Sequence, residues 1–266
     1  MSAYAAARRG CAAGASIPLA VRTESLGYRV GGITIVEGVS LEIEQGEFIV
    51  VIGPNGAGKT TLVNLLSGVA YPTSGSVRLF DRDVTHAPPF ERARLGLGRT
   101  FQTSSVFNAL TALENVRLAA QAHLGGSYAL WRLADANDEA LTRSREALEQ
   151  VGLAHRMLAN AASLSHGEKR KLDLAILLCL EPRVAVLDEP TAGMAVEDVP
   201  EILELVSRMH RERGCTVIMV EHRLDLVSQL ADRMAVMHHG SLLAIDTPGR
   251  IVANETVQTA YLGDPL

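Results

Sequence analysis

From Glu47 the chain runs through Phe48-Ile49-Val50-Val51-Ile52, passes directly into Gly53-Pro54-Asn55-Gly56-Ala57-Gly58-Lys59-Thr60-Thr61, and continues as Leu62-Val63-Asn64-Leu65-Leu66-Ser67. An unbroken apolar run of this length reads as a strand buried on both faces. The last segment has the apolar spacing of a helix, with Gly68 as its stop. Gly53 to Thr60 fits the pattern G-x-x-x-x-G-K-[ST] in its required setting, after a buried strand and opening a helix. The composition follows from the chemistry. Triphosphate oxygens must approach the backbone, so glycines remove side-chain bulk and permit unusual dihedrals. The amides from Gly53 to Thr61 and the positive end of the helix then face the anion. Lys59 adds a mobile charge for the β and γ phosphates, and Thr60 a hydroxyl for Mg²⁺. ATP and Mg²⁺ are therefore the expected ligands.

The remaining pattern is consistent with a layered α/β fold. Ile33 to Glu44 alternates apolar and polar residues, as in a half-exposed antiparallel strand. Ser76 to Phe80 reads as a short strand after the turn-like Pro72-Thr73-Ser74-Gly75. From about Ala112 to Glu181 the spacing is mostly helical, interrupted at Gly125-Gly126. Val184 to Leu187 and Thr216 to Val220 are two further buried strands, followed by helices at about Val199 to Arg213 and Leu224 to Ala231. Strands alternating with helices at these lengths predict a parallel sheet covered on both faces.

Composition limits the alternatives. At 266 residues with 47% hydrophobic and 21% charged residues, the chain can bury a sizeable, mostly aliphatic core. A net charge of −5 argues against a general nucleic-acid binder. Cys11, Cys179 and Cys215 are too few and too scattered for a disulfide framework or a zinc site. No apolar stretch approaches the ~18 residues a membrane span requires. Met1 to Ala20 is alanine-rich, but Arg9, Gly10 and Gly14 break any apolar core, so it reads as a flexible tail.

Val184 to Leu187 ends in Asp188-Glu189-Pro190. Parallel strands deliver their carboxyl ends to the ligand crevice. Asp188 is placed to hold Mg²⁺, through water, and Glu189 to take a proton from an attacking water.

The segment between these two motifs points to a family. Leu164-Ser165-His166-Gly167-Glu168 resembles the Leu-Ser-Gly-Gly-Gln signature of ABC ATPases and lies about twenty residues before the acidic strand end. The resemblance runs from about Val21 to Gly263. It implies an α/β P-loop NTPase fold with a mostly parallel core sheet, an antiparallel β subdomain and an inserted helical subdomain at about 103–180, within one ATPase domain at 21–266. It also assigns further roles: Tyr28 to stack on adenine, Gln102 to touch Mg²⁺ and the attacking water, and His222 to contact the γ-phosphate. Ser165 and Gly167 face the γ-phosphate held by an opposite subunit. Three positions depart from the commonest pattern. Glu168 puts an acid near a phosphate unless it turns away, although Ser165-x-x-Glu168 is also a capping box. His166 is the second, and Ala195 stands where many members carry Asp or Asn.

The implied partners are a second ABC ATPase subunit, polytopic permease subunits at the cytoplasmic membrane face and, indirectly, a periplasmic or surface substrate-binding protein; nucleic acid is not among them. Arg99-Thr100-Phe101-Gln102 followed by Phe107 to Val116, with the tail Ala260-Tyr261-Leu262-Gly263, is similar to the ATPases of branched-chain amino-acid importers. In that group two different ATPase chains usually pair, with a homodimer the alternative. His166 and Ala192-Gly193-Met194 are similar to forms in that group and in its urea- and amide-importing relatives. An ABC ATPase outside transport would need long heptads or a second ATPase domain, and neither is present.

Overall fold

A computed structural model describes residues 17–100, 105–124 and 139–262. Expectations for the Met1–Ser16 part of the tail, Cys11, Phe101, Gln102, Gly125-Gly126 and Gly263 lie outside these residues. The described chain forms two compact units, one from residues up to 97, 183–189 and 210 onward, the other from 98–182 and 190–209.

In the first unit, β1 (Leu19–Val30) and β2 (Ile33–Glu44) form an antiparallel hairpin. Its two-residue turn, Gly31-Gly32, has φ of 56° and 85°, the positive values that such tight turns demand. With β4 (Ser74–Leu79) and β5 (Arg82–Asp83) they form a sheet ordered β2-β1-β4-β5. The second sheet is ordered β10-β9-β3-β8-β7-β6. Its members are β3 (Phe48–Ile52), β6 (Leu97–Arg99), β7 (Val184–Asp188), β8 (Thr216–Val220), β9 (Arg233–His238) and β10 (Ser241–Asp246). β3 pairs in parallel with β8 and β9, and β7 with β8, while β10 returns antiparallel to β9. Every residue of β3, β7 and β8 is buried, the outcome their apolar runs predict.

Helix α1 (Lys59–Ser67) follows β3 and ends on Gly68, whose φ of 78° lets its amide reach back to Asn64 and Leu65. The next helix, α2 (Pro89–Arg94), sends Arg92 into the protein interior, where the side chain has no solvent exposure. Its guanidinium donates to the carbonyls of Leu65 (2.6 Å) and Leu66 (2.7 Å) at the end of α1. It also donates to Ala87 (3.0 Å) and Thr85 (3.3 Å). A cation over the carbonyl end of a helix satisfies orphan acceptors and opposes the helix dipole. Burial nevertheless pushes the Arg92 pKa down to about 10. A second charged anchor is the fully buried Glu47, which accepts from both Nε and Nη2 of Arg233 and from the Glu44 amide.

The second unit is helical. α3 (Ala112–His123) starts at a capping box made by Thr111 and Glu114, α4 is Glu139–Gln150, and α5 (His166–Leu180) starts at a second box made by Ser165 and Glu168. Their small and aliphatic faces, including Val116, Ala120, Leu148, Leu172 and Ala175, are buried. Arg143 ties Glu139 (2.9 Å) to Glu181 (3.2 Å) at the rim. Two single 3₁₀ turns, Ala154–Arg156 and Ala161–Ser163, precede α5. Helix α6 (Val199–Arg213) begins in this unit and ends in the first.

The helix expected at Leu224 to Ala231 is shorter: α7 spans only Leu224–Val227. Asp232 binds Phe48 twice, accepting its amide on the carboxylate (2.9 Å) and donating its own amide to the carbonyl (2.8 Å), which draws the chain into β9. Two short helices, α8 (Pro248–Val252) and α9 (Glu255–Leu262), close the described chain. Cys215 in the first unit and Cys179 in the second are both buried thiols outside any disulfide. Among the described residues no helix is long and apolar enough to cross a membrane.

Candidate nucleotide site

The loop between β3 and α1 is held open by glycine. Gly58, the residue before α1, has φ of 94°, and a Cβ there would meet the Ile35 carbonyl oxygen at 2.7 Å. At Gly53, with φ of 153°, a Cβ would meet the Met237 carbonyl oxygen at 2.2 Å. The loop is therefore pressed from behind by β2 and by the β9–β10 turn. Gly240 in that turn donates its amide to the Ala57 carbonyl (3.1 Å) and accepts the Glu37 amide (2.9 Å) on its own. No side chain caps the start of α1 and its first turn holds no acid, so a positive helix end faces the loop.

Lys59 is buried and folded back over the loop, donating from Nζ to the carbonyls of Gly53 (2.8 Å) and Pro54 (2.9 Å). Burial lowers its pKa, while the charges of Glu189 and Asp188 act in the opposite direction. The ammonium thus sits in the field of the two acids that end β7. Asp188 is wholly buried at the strand terminus. Glu189 follows with φ of 50°, and its amide donates to the Val220 carbonyl (3.1 Å). A non-glycine residue in the left-handed region costs about 1–2 kcal/mol, and such strain concentrates at working sites. Here the Glu189 carboxylate faces the segment that follows β8, where Oε1 lies 2.6 Å from Nε2 of His222. A carboxylate only accepts, so Nε2 carries the hydrogen in this contact.

Four residues from three separate sequence segments, Lys59, Asp188, Glu189 and His222, thus converge within the first unit. Tyr28 lies in the same unit, half-buried on β1 and paired with Val36, next to the Ile35 that overlies Gly58. Among the described residues no group of three or more His, Cys, Asp or Glu is placed to hold a metal ion. The Thr60 hydroxyl and Asp188 carboxylate are nevertheless hard oxygen donors that fit Mg²⁺, which takes few protein ligands and completes its shell from phosphate and water.

The second unit carries Ser165 and Gly167. Ser165 Oγ accepts the Glu168 amide (3.2 Å). Among the described residues, a Cβ built on Gly167 would meet nothing within 4 Å, so no described neighbour requires glycine there. The His166 ring packs on the loop after β7: a Cβ on Gly193, whose φ is 72°, would lie 2.9 Å from its Nε2. Ala195 offers only backbone polarity, and its carbonyl accepts the Asp198 amide (3.0 Å). Gln102 falls outside the described residues.

Sequence reading did not find Gly240, Arg92 or Arg156. Gly240 and Arg92 act on segments remote along the chain, and Arg156 acts across the loop before α5, whose course the sequence does not spell out. Their one partial signal is the Gly-flanked His238-His239 pair near a strand end.

The chain matches the model of the ABC transporter family over residues 36–192. It is 34% identical to the high-affinity branched-chain amino acid transport ATP-binding protein BraF of Pseudomonas aeruginosa over 249 residues, covering 92% of this chain and 98% of that one. Its fold is similar to a nucleotide-free ATP-binding cassette from an ABC transporter, with a TM-score of 0.79, 27% identity, and coverage of 92% of this chain and 100% of that one. It is also similar to a dimeric, post-hydrolysis ATP-binding cassette bound to ADP and Pi, with a TM-score of 0.74, 25% identity, and coverage of 86% and 98%.

Proposed function

This chain belongs to the ABC transporter family and is an ATPase, and on that footing we propose that it powers an importer of branched-chain amino acids from the cytoplasmic face of the membrane. The convergence of Lys59, Asp188, Glu189 and His222 carries the catalytic part of this reading. The similarity to BraF, whose name states its cargo, supports the cargo part. Urea or amides are the second cargo class, on the forms of His166 and Ala192-Gly193-Met194.

ATP binds with its adenine against Tyr28 and its phosphates along the amides of Gly53 to Thr61. On binding, the γ-phosphate replaces the loop carbonyls as the partner of Lys59. Thr60 and Asp188 hold Mg²⁺, which when bound neutralises charge on the β and γ phosphates. Glu189 accepts a proton from the water that attacks the γ-phosphorus, the bond to the bridging oxygen breaks, and ADP leaves with its electron pair. His222 orients Glu189 and reaches the γ-phosphate. Gln102 is assigned its contact with the ion and the water on family resemblance.

Ser165 and Gly167 complete the site of a second subunit. The open space around Gly167 supports this, since a glycine inside a helix costs about 1 kcal/mol and no contact among the described residues accounts for it. That second subunit is a different ATPase chain, as is usual in the resembling group, and the similarity to a dimeric cassette supports a paired arrangement. Permease subunits receive the motion, and a binding protein delivers cargo to them.

Glu189→Gln tests the chemistry. The variant should bind ATP normally, lose about 10²–10⁴-fold in turnover and accumulate an ATP-bound closed pair. Turnover at the parent rate would remove Glu189 as the base. Uptake of leucine against urea by the reconstituted transporter decides the cargo.

A further inference from the structure

Glu168 occupies an awkward place for a tip that must receive a phosphate. It lies in the first turn of α5, three residues after Ser165 and one after Gly167. The structure accounts for its carboxylate oxygens one at a time. Oε2 accepts the Ser165 amide (2.7 Å), turning the acid back along the chain. Oε1 lies 3.2 Å from Nε of Arg156. Arg156 is fixed in turn, its Nη2 donating to the Ser163 carbonyl (3.2 Å), so one guanidinium links both 3₁₀ turns to the start of α5. The Ser165 amide first, against the opposing effect of burial, then the Ser165 hydroxyl and the Arg156 charge, hold the Glu168 carboxylate below its ordinary pKa, so it stays ionised.

An ionised carboxylate at a helix start competes with any other anion for the same positive end. A phosphate and a carboxylate several ångströms apart at a partly wet surface repel by an amount that changes affinity about tenfold. Arg156 supplies the compensating charge from within the same unit. We infer that Arg156 is a positioning residue for the signature tip: it neutralises Glu168 and holds it where the Ser165 amide has turned it, so that Ser165 and the α5 amides can receive the terminal phosphate held by a second subunit. The inference rests on the paired reading proposed above. A glutamine at 168 preserves the capping box without the charge, and so removes the need for Arg156.

The test uses the assembled transporter carrying Glu189→Gln, so that ATP persists. The readout is the ATP concentration giving half-maximal closure, followed by a crosslink or distance probe between Ser165 and the partner's phosphate loop. Adding Arg156→Gln should raise that concentration about tenfold at low salt, with the gap shrinking as salt screens the repulsion. ADP affinity at the chain's own phosphate loop should not change. Arg156→Gln with Glu168→Gln should return closure to within about twofold of the parent, a rescue that mere collapse of the 3₁₀ turns would not permit. Arg156→Lys should lie between, because it keeps charge but not the fork. Closure unchanged by Arg156→Gln, or not rescued by Glu168→Gln, overturns the inference. If the Glu189→Gln parent itself never closes with ATP, the paired reading fails first and takes the inference with it.

Discussion

Replacing Gly240 by alanine should weaken both the fold and nucleotide binding, although residue 240 touches no nucleotide. Two terms contribute. The φ of 81° at Gly240 places a Cβ in the left-handed region, which costs about 1–2 kcal/mol. That Cβ would also lie 2.6 Å from the Ile35 carbonyl oxygen and 3.1 Å from its carbon, backbone atoms that must give way. Overpacking of this kind costs a further ~1–3 kcal/mol. Gly32 separates the terms, because its φ is 85° yet nothing lies within 4 Å of its Cβ position. Gly32→Ala should therefore pay only the dihedral cost. The difference of about 2 kcal/mol corresponds to roughly 4–8 °C in thermal midpoint for a chain of this size. Relief of the clash must move β2, the β9–β10 turn or both, and the Gly240 amide that holds Ala57 moves with it. ATP affinity should fall several-fold in Gly240→Ala and stay at the parent value in Gly32→Ala. Scanning calorimetry and a nucleotide titration measure the two quantities. Equal midpoints and equal affinities for the two variants would refute the claim that this turn braces the phosphate loop.

Arg92→Met keeps most of the apolar stem but removes the guanidinium bonds to Leu65, whose carbonyl keeps only a long bond from the Gly68 amide, and to Leu66, so denaturant unfolding should show a loss of about 1–3 kcal/mol; a change below about 0.5 kcal/mol would show that Arg92 is not an anchor. Glu114, bonded by the amide and hydroxyl of Thr111, and Glu168, bonded first by the Ser165 amide, both titrate below their ordinary value of 4.5. Their folded pKa values lie below the unfolded ones, so the unfolded chain binds more protons in that window. Their stabilisation is full above about pH 4.5 and is lost as the pH falls through the depressed values. Unfolding free energy measured between pH 3 and 6 should rise with pH, and the slope should flatten in Glu114→Gln with Glu168→Gln.

What the sequence reveals follows from how local each signal is. β3, the phosphate loop and α1 are legible because a continuous apolar run, a glycine pattern and a helical spacing adjoin. The ends of β7 and β8 are legible for the same reason, so Asp188, Glu189 and His222 could be picked out individually. Their convergence with Lys59 is a property of parallel strand order and appears only in the fold. The Gly31-Gly32 turn carried a local signal that went unread. The shortened α7 could not be foreseen, because Asp232 binds Phe48, a residue remote along the chain. Arg92 and Gly240 likewise act across the fold, while Arg156 acts within its own loop, and ordinary composition around all three hides what they do.

The two buried thiols provide a pair of clocks. Burial pushes the Cys215 thiol up to about 12, and both Cys215 and Cys179 are closed off from solvent while their surroundings stay shut. Alkylation at either position therefore proceeds only through opening, at a rate set by how often that region opens. One thiol lies in the strand-rich unit and the other in the helical one. Mass spectrometry of a labelling time course, with and without ATP, would time the opening of each unit separately in the unmodified protein.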